Sequence, residues 1–153
     1  MNKALFLDRD GTINIDYGYV GSVDKFVFID GVFDFCTAAQ MRGYQIIVIT
    51  NQSGIARGYY TDADYRIVTK YMCDEFARHG IKITGVLHCP ELSGPNRKPN
   101  PGLFFQAQKM YNIDMAASVS VGDKERDIQA ARAAGVARNF LFQNNYKELA
   151  RKL

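Results

Sequence analysis

Two aspartates one residue apart, Asp8 and Asp10, close the segment Leu5-Phe6-Leu7-Asp8-Arg9-Asp10-Gly11-Thr12. Carboxylates at i and i+2 of an extended segment point the same way. Such a pair can share one hard cation and still face a substrate. The competing reading is a polar turn after a strand, where Asp and Gly are common. At roughly one in twenty per fixed residue, a chain of this length matches Asp-x-Asp-Gly-Thr by chance on the order of once in a thousand. Arg9, between the two carboxylates, is expected on the opposite side in a structural pairing.

Three other stretches carry groups suited to the same chemistry. Ile49-Thr50-Asn51-Gln52-Ser53-Gly54 offers a hydroxyl and loop N–H groups that can bind a phosphate without adding charge. Arg97-Lys98-Pro99 brings a lysine that can neutralise a phosphate in ground and transition states. Val121-Gly122-Asp123-Lys124 brings a third carboxylate, Asp123, able to join Asp8 and Asp10 around Mg2+, which takes oxygen ligands and keeps waters. Each of these alone reads equally well as ordinary loop polarity. Asp127 reads as a favourable charge at a helix N-terminus rather than as a catalytic group. Arg57 divides evenly between reaching substrate and bracing its own loop.

The elements that must position these groups follow from hydrophobic patterning. Short apolar runs predict strands over 4–7, 45–49, 84–88, 118–121 and 139–142. Helical spacing predicts helices over 32–42, 62–79, 101–111 and 125–134, with a short one from Tyr146. Thr61 and Asp64 form a capping-box pattern at the second helix. Tyr65, Val68, Met72 and Phe76 recur on one face of that helix and read as core. Strict alternation predicts one α/β domain over 1–153, a mostly parallel sheet in a three-layer, Rossmann-like arrangement with helices on both faces. All four polar stretches then sit at carboxyl ends of strands, where open α/β sheets bind ligands. The long loops over 14–29 and 90–100 leave from the same side.

Composition bounds the alternatives. The chain has 153 residues, 47% hydrophobic and 23% charged, with a net charge of +3. That charge is too small, and too scattered, for a nucleic-acid binder. No apolar run reaches membrane-spanning length. Three cysteines without a Cys-x-x-Cys suit a reducing compartment, and the strand at the N-terminus leaves no room for a signal peptide. The expectation is a cytoplasmic monomer.

In order along the chain, Asp-x-Asp, Thr, Lys and Gly-Asp make the four-motif signature of the haloacid dehalogenase superfamily of phosphotransferases. Asp8-Arg9-Asp10-Gly11-Thr12-Ile13-Asn14, Gly18-Tyr19-Val20, Thr50-Asn51-Gln52-Ser53-Gly54-Ile55-Ala56-Arg57-Gly58, Arg97-Lys98-Pro99 and Gly122-Asp123-Lys124 resemble the D-glycero-D-manno-heptose 1,7-bisphosphate phosphatases. Histidinol-phosphate phosphatases are close relatives. The resemblance runs from Leu5 to about Val136.

It implies a Mg2+-dependent phosphatase acting at C7 of heptose bisphosphate. Histidinol phosphate or another small phosphomonoester is the nearest alternative substrate, and a DNA 3′-phosphate a more distant one. Asp8 would be the nucleophile and Asp10 the general acid and base. Thr50 and Lys98 would hold the transferring oxygens. Mg2+ would be held by the side chains of Asp8 and Asp123 and the backbone carbonyl of Asp10. Asp16, Tyr17, Gly18, Tyr19, Asn51, Gln52, Ser53, Arg97 and Lys124 would contact the sugar phosphate, with Arg97 suited to a second phosphate.

Neither interval between motifs holds a separate cap domain, so an open site is expected. Relatives usually carry a zinc loop, Cys-x-His then Cys-x-Cys, before Arg-Lys-Pro. Here only Cys89 remains, beside His88, and zinc is not expected. A catalytically silent phosphate-binding scaffold would need one of Asp8, Asp10, Lys98 or Asp123 missing, and all four are present.

Overall fold

A computed structural model describes all residues, Met1–Leu153. Five strands, β1 (Lys3–Leu7), β2 (Tyr44–Asn51), β3 (Ile83–Cys89), β4 (Val119–Gly122) and β5 (Arg138–Leu141), pair in parallel in the order β3-β2-β1-β4-β5. Every strand lies within two residues of its expected place. Helices α1 (Val32–Met41), α2 (Asp62–Arg78), α3 (Gly102–Tyr111), α4 (Glu125–Ala133) and α5 (Tyr146–Ala150) connect or follow them.

Alternation along β1 explains the layers. Leu5 and Leu7 join a core with Val32, Phe35, Val68, Met72 and Phe76, under α1 and α2, with Leu149 of α5. Ala4 and Phe6 face the other way, into a second core with Leu103, Phe104, Ala107, Ala130 and Ala131 of α3 and α4. The face of α2 carrying Tyr65, Val68, Met72 and Phe76 is buried as expected. Its N-terminus is closed by the capping box: Asp64 N donates to Thr61 Oγ1 at 3.1 Å and Thr61 N to Asp64 Oδ2 at 2.9 Å. No helix is long and apolar enough to cross a membrane.

β1 pairs with β2 on one side and β4 on the other. The chain builds outward from β1 through β2 to β3, then returns to place β4 against the opposite edge of β1. This reversal opens a crevice at the carboxyl ends of the central strands. Asp8 and Asp123 each follow directly on one of them.

The stretch from 14 to 29 holds only a short 3₁₀ helix, Val23–Lys25. It is tied at its base by Ile15 N to Val27 O at 2.8 Å and Ile29 N to Ile13 O at 2.8 Å. Its apolar residues Val20 and Phe26 enter the first core. The cover over the crevice is therefore a packed loop, anchored by its own side chains.

Phe76 has no exposed surface and its ring lies 5.7 Å from Phe28 and 5.3 Å from Phe33. Phe76→Ala is expected to cost about 3–5 kcal/mol in urea denaturation, because α2 cannot collapse into the space left. A cost below about 1 kcal/mol would contradict this packing.

Candidate active site

Lys98 is the centre of the site. It is 2% exposed, yet its ammonium meets Asp8 Oδ1 at 2.9 Å, Asp127 Oδ1 at 2.7 Å and the Ile49 carbonyl at 2.7 Å. Asp8 and the Ile49 carbonyl accept hydrogen bonds from it, and Asp127 completes the surround as an ion pair. Asn51 puts it there: its side chain accepts from Lys98 N at 3.0 Å and donates to Lys98 O at 3.1 Å, clamping the loop to the end of β2. Burial alone would lower the Lys98 pKa, but the two carboxylates outweigh it and hold it above the usual value.

Asp123 reaches the same cluster from the end of β4. A Cβ on Gly11 would stand 2.1 Å from Asp123 Oδ2, and Gly11 has φ +87°, so only glycine admits this approach. Carboxylate oxygens of Asp8, Asp123 and Asp127 all lie within 4.8 Å of one another. Two of these carboxylates meet the Lys98 ammonium, and the third, Asp123, lies 3.4 Å from Lys124 Nζ. Burial raises the Asp8 pKa well above normal, Lys98 opposes that rise, and Asp127 and Asp123 add to it. Asp123 Oδ1 is buried with no hydrogen-bond partner. An orphaned carboxylate oxygen and a surplus of negative charge suit a hard divalent cation with oxygen ligands.

Asp10 stands apart from the cluster. Its Oδ1 accepts from Arg9 Nη2 at 2.9 Å and Asn14 Nδ2 at 3.0 Å, and its Oδ2 from Gln52 Nε2 at 2.9 Å. Its side chain lies outside the group formed by Asp8, Asp123 and Asp127. Arg9 does pair structurally, but with Asp10 itself rather than on the opposite side. The strand ends at Leu7, so two-residue alternation no longer governs Arg9. Its guanidinium also donates to the Val20 carbonyl at 2.7 Å, joining the cover loop to Asp10.

A cavity of about 400 Å³ is lined by Asp8, Asp10, Asp16, Gly18, Tyr19, Asn51, Gln52, Ser53, Arg97, Lys98 and Lys124. Three expected residues are not in that lining: Asp123, which sits in the carboxylate cluster, Tyr17 and Thr50. Tyr17 lies outside it, 60% exposed at the crest of its turn. Thr50 is buried, where its hydroxyl accepts from Gln52 Nε2 at 2.9 Å and donates to the Asn51 carbonyl at 3.3 Å.

The structure adds Arg57, Tyr60 and Arg126 to the lining. Asp127 both accepts from Lys124 N at 3.0 Å, the helix-end role expected of it, and grips Lys98.

Comparison with known proteins agrees with this geometry. A family model described as HAD-hydrolase-like matches residues 95–147. The D-glycero-alpha-D-manno-heptose-1,7-bisphosphate 7-phosphatase of Burkholderia mallei is 47% identical over 150 residues, covering 92% of this chain and 79% of its own. The D-glycero-beta-D-manno-heptose-1,7-bisphosphate 7-phosphatase of Yersinia pestis is 45% identical, with 90% and 79% covered. The crystal structure of D,D-heptose 1,7-bisphosphate phosphatase from B. bronchiseptica, complexed with magnesium and phosphate, superposes with TM-score 0.86 at 32% identity, covering 97% of this chain and 86% of that one. The chain belongs to the haloacid dehalogenase-like hydrolases and, within them, to the heptose bisphosphate phosphatase family.

Gly11→Ala is expected to destabilise the fold by about 2 kcal/mol or more, and by clearly less in an Asp123→Ala background, since part of the cost is overlap with that carboxylate. Urea titration of the four variants in the cycle checks this. Equal cost in both backgrounds would contradict the contact.

Proposed function

We propose that this protein is a Mg2+-dependent phosphatase that removes the C7 phosphate of D-glycero-D-manno-heptose 1,7-bisphosphate. The observation that carries this reading is Asp8 and Asp10 facing one cavity, with Asp8 against Lys98 and Asp10 outside the carboxylate cluster. The two carboxylates are thereby separated into a nucleophile and a proton carrier.

An Asp8 oxygen attacks phosphorus, and the bond from phosphorus to the C7 oxygen breaks. Asp10 gives its proton to that departing oxygen. Asp10 then takes a proton from water, which attacks the aspartyl phosphate and restores Asp8 with release of inorganic phosphate. Lys98 balances charge on Asp8 and on the transferring oxygens. The side chains of Asp8 and Asp123 and the backbone carbonyl of Asp10 would hold Mg2+, with Asp127 adjoining. When bound, the cation offsets repulsion between the nucleophilic carboxylate and a phosphate dianion.

The rim supports a substrate with a second phosphate. Arg57, Arg97 and Arg126 line the cavity, and none is within ion-pair distance of a carboxylate. Lys124 adds a fourth cation, 3.4 Å from Asp123. Guanidiniums without a carboxylate partner, held only by long bonds from Arg57 to Ser53 and from Arg97 to the Glu91 carbonyl, suit a phosphate bound in bidentate fashion and disfavour an amine-bearing substrate. Zinc has no part in the reading. His88 stacks on Tyr65 at 4.0 Å and meets Asp62 at 3.3 Å, while Cys89 is packed in the second core.

Phosphate release with Mg2+ should be measured from both anomers of heptose 1,7-bisphosphate, fructose 1,6-bisphosphate, histidinol phosphate and a 3′-phosphorylated oligonucleotide. Both anomers belong in the panel because relatives at 47% and 45% identity differ in this point. Marked preference for one heptose anomer is expected, and flat activity across the panel would sink the substrate assignment. Asp8→Asn is expected to fold and to lose turnover by several orders of magnitude. Activity within about tenfold of wild type would refute the nucleophile.

A further inference from the structure

Tyr60 lies between β2 and α2 and is 8% exposed, against the cavity. Its ring is pressed between two backbones. A Cβ on Gly54 would come 2.3 Å from its Cε1, and one on Gly21 would come 2.4 Å from its Cγ. Glycine at both positions lets the ring join the β2–α2 loop to the cover loop. Its hydroxyl donates to Gln52 Oε1. Burial pushes the phenol up to about 12, with Arg9 opposing, so it remains a donor at neutral pH.

Gln52 is 2% exposed and its amide is fully committed. The Oε1 accepts from Tyr60, and Nε2 donates to Asp10 Oδ2 at 2.9 Å and to Thr50 Oγ1 at 2.9 Å. An amide of this shape could fit its space in either of two orientations. An ionised Asp10 holds the NH2 toward itself, but once Asp10 is protonated it can donate, and then only the Tyr60 donor distinguishes the two orientations. With the oxygen held toward Tyr60, the NH2 group faces Asp10.

The direction matters because Asp10 must lend a proton. Its neighbours Arg9, Asn14 and Gln52 are then all donors toward it. None can accept the acid proton, which is left for the departing oxygen. With the amide reversed, Gln52 Oε1 would accept that proton and hold it away from the substrate.

We propose that Tyr60 is a positioning residue for the general acid: through Gln52 it keeps the Asp10 proton directed at the leaving group. This rests on the proposed roles of Asp8 and Asp10 and leaves the choice of sugar open. Tyr60→Phe keeps the ring between Gly21 and Gly54 and removes only the donor.

The test is kcat/KM for three esters: heptose 1,7-bisphosphate, phenyl phosphate and p-nitrophenyl phosphate. Sugar alkoxide and phenolate need a proton to leave well, whereas p-nitrophenolate departs as the anion. Tyr60→Phe should lower the kcat/KM of the first two relative to p-nitrophenyl phosphate by about tenfold or more, part of the usual worth of a general acid. In a Gln52→Met background, where no amide can reverse, Tyr60→Phe should leave that ratio within about twofold. An equal fall on all three esters would mean general damage and overturn the proposal, as would an unchanged ratio. If the wild type ignores heptose bisphosphate, the substrate reading fails, and the phenyl to p-nitrophenyl ratio still decides the role of Tyr60.

Discussion

Everything in the site depends on one buried ammonium. Lys98 neutralises part of a cluster of three carboxylates that water cannot reach well. Removing charges from water costs several kcal/mol per ion unless they are closely paired. Lys98 between two of them, with only the half-exposed Lys124 beside Asp123, leaves a surplus of negative charge in the cluster. That imbalance is useful chemically. A divalent cation with oxygen ligands would complete the neutralisation.

The fold makes the cluster possible by bringing together residues far apart in sequence. Ninety residues separate Asp8 from Lys98. The strand reversal around β1 gathers the carboxyl ends of β1, β2 and β4, and Asn51 then pins the Lys98 backbone to β2. A second layer of polar contacts governs Asp10. Arg9 links it to the cover loop at Val20, and Gln52 links it to Tyr60, which itself sits between two loops. Position of the cover loop and the hydrogen bonding of Asp10 are therefore joined through a few contacts.

Much of this was readable in the chain. The strands announced themselves because each is a short apolar run ending at a polar strand-end motif. Asp8, Asp10, Lys98 and Asp123 were readable because their order and strand-end positions are jointly specific. Asp127 was half readable: its helix-end role follows from sequence position, while its grip on Lys98 depends on how close α4 packs to the loop over 90–100. Thr50 and Tyr17 lie outside the cavity lining, a detail of placement that sequence position does not carry. Sequence position puts a residue at a strand end or turn but does not say which way a short side chain rotates there. Tyr60 had no local signal, since its partners Gly21 and Gln52 meet it only in the folded chain.

The central claim, that the carboxylate cluster is completed by a divalent cation, is tested most directly by thermal unfolding with and without Mg2+. A cation that binds only the folded state raises Tm by mass action. Millimolar Mg2+ should raise the Tm of the wild-type protein, and Asp123→Asn should remove most of that rise. An equal rise in both proteins, or none in the wild type, would contradict the account.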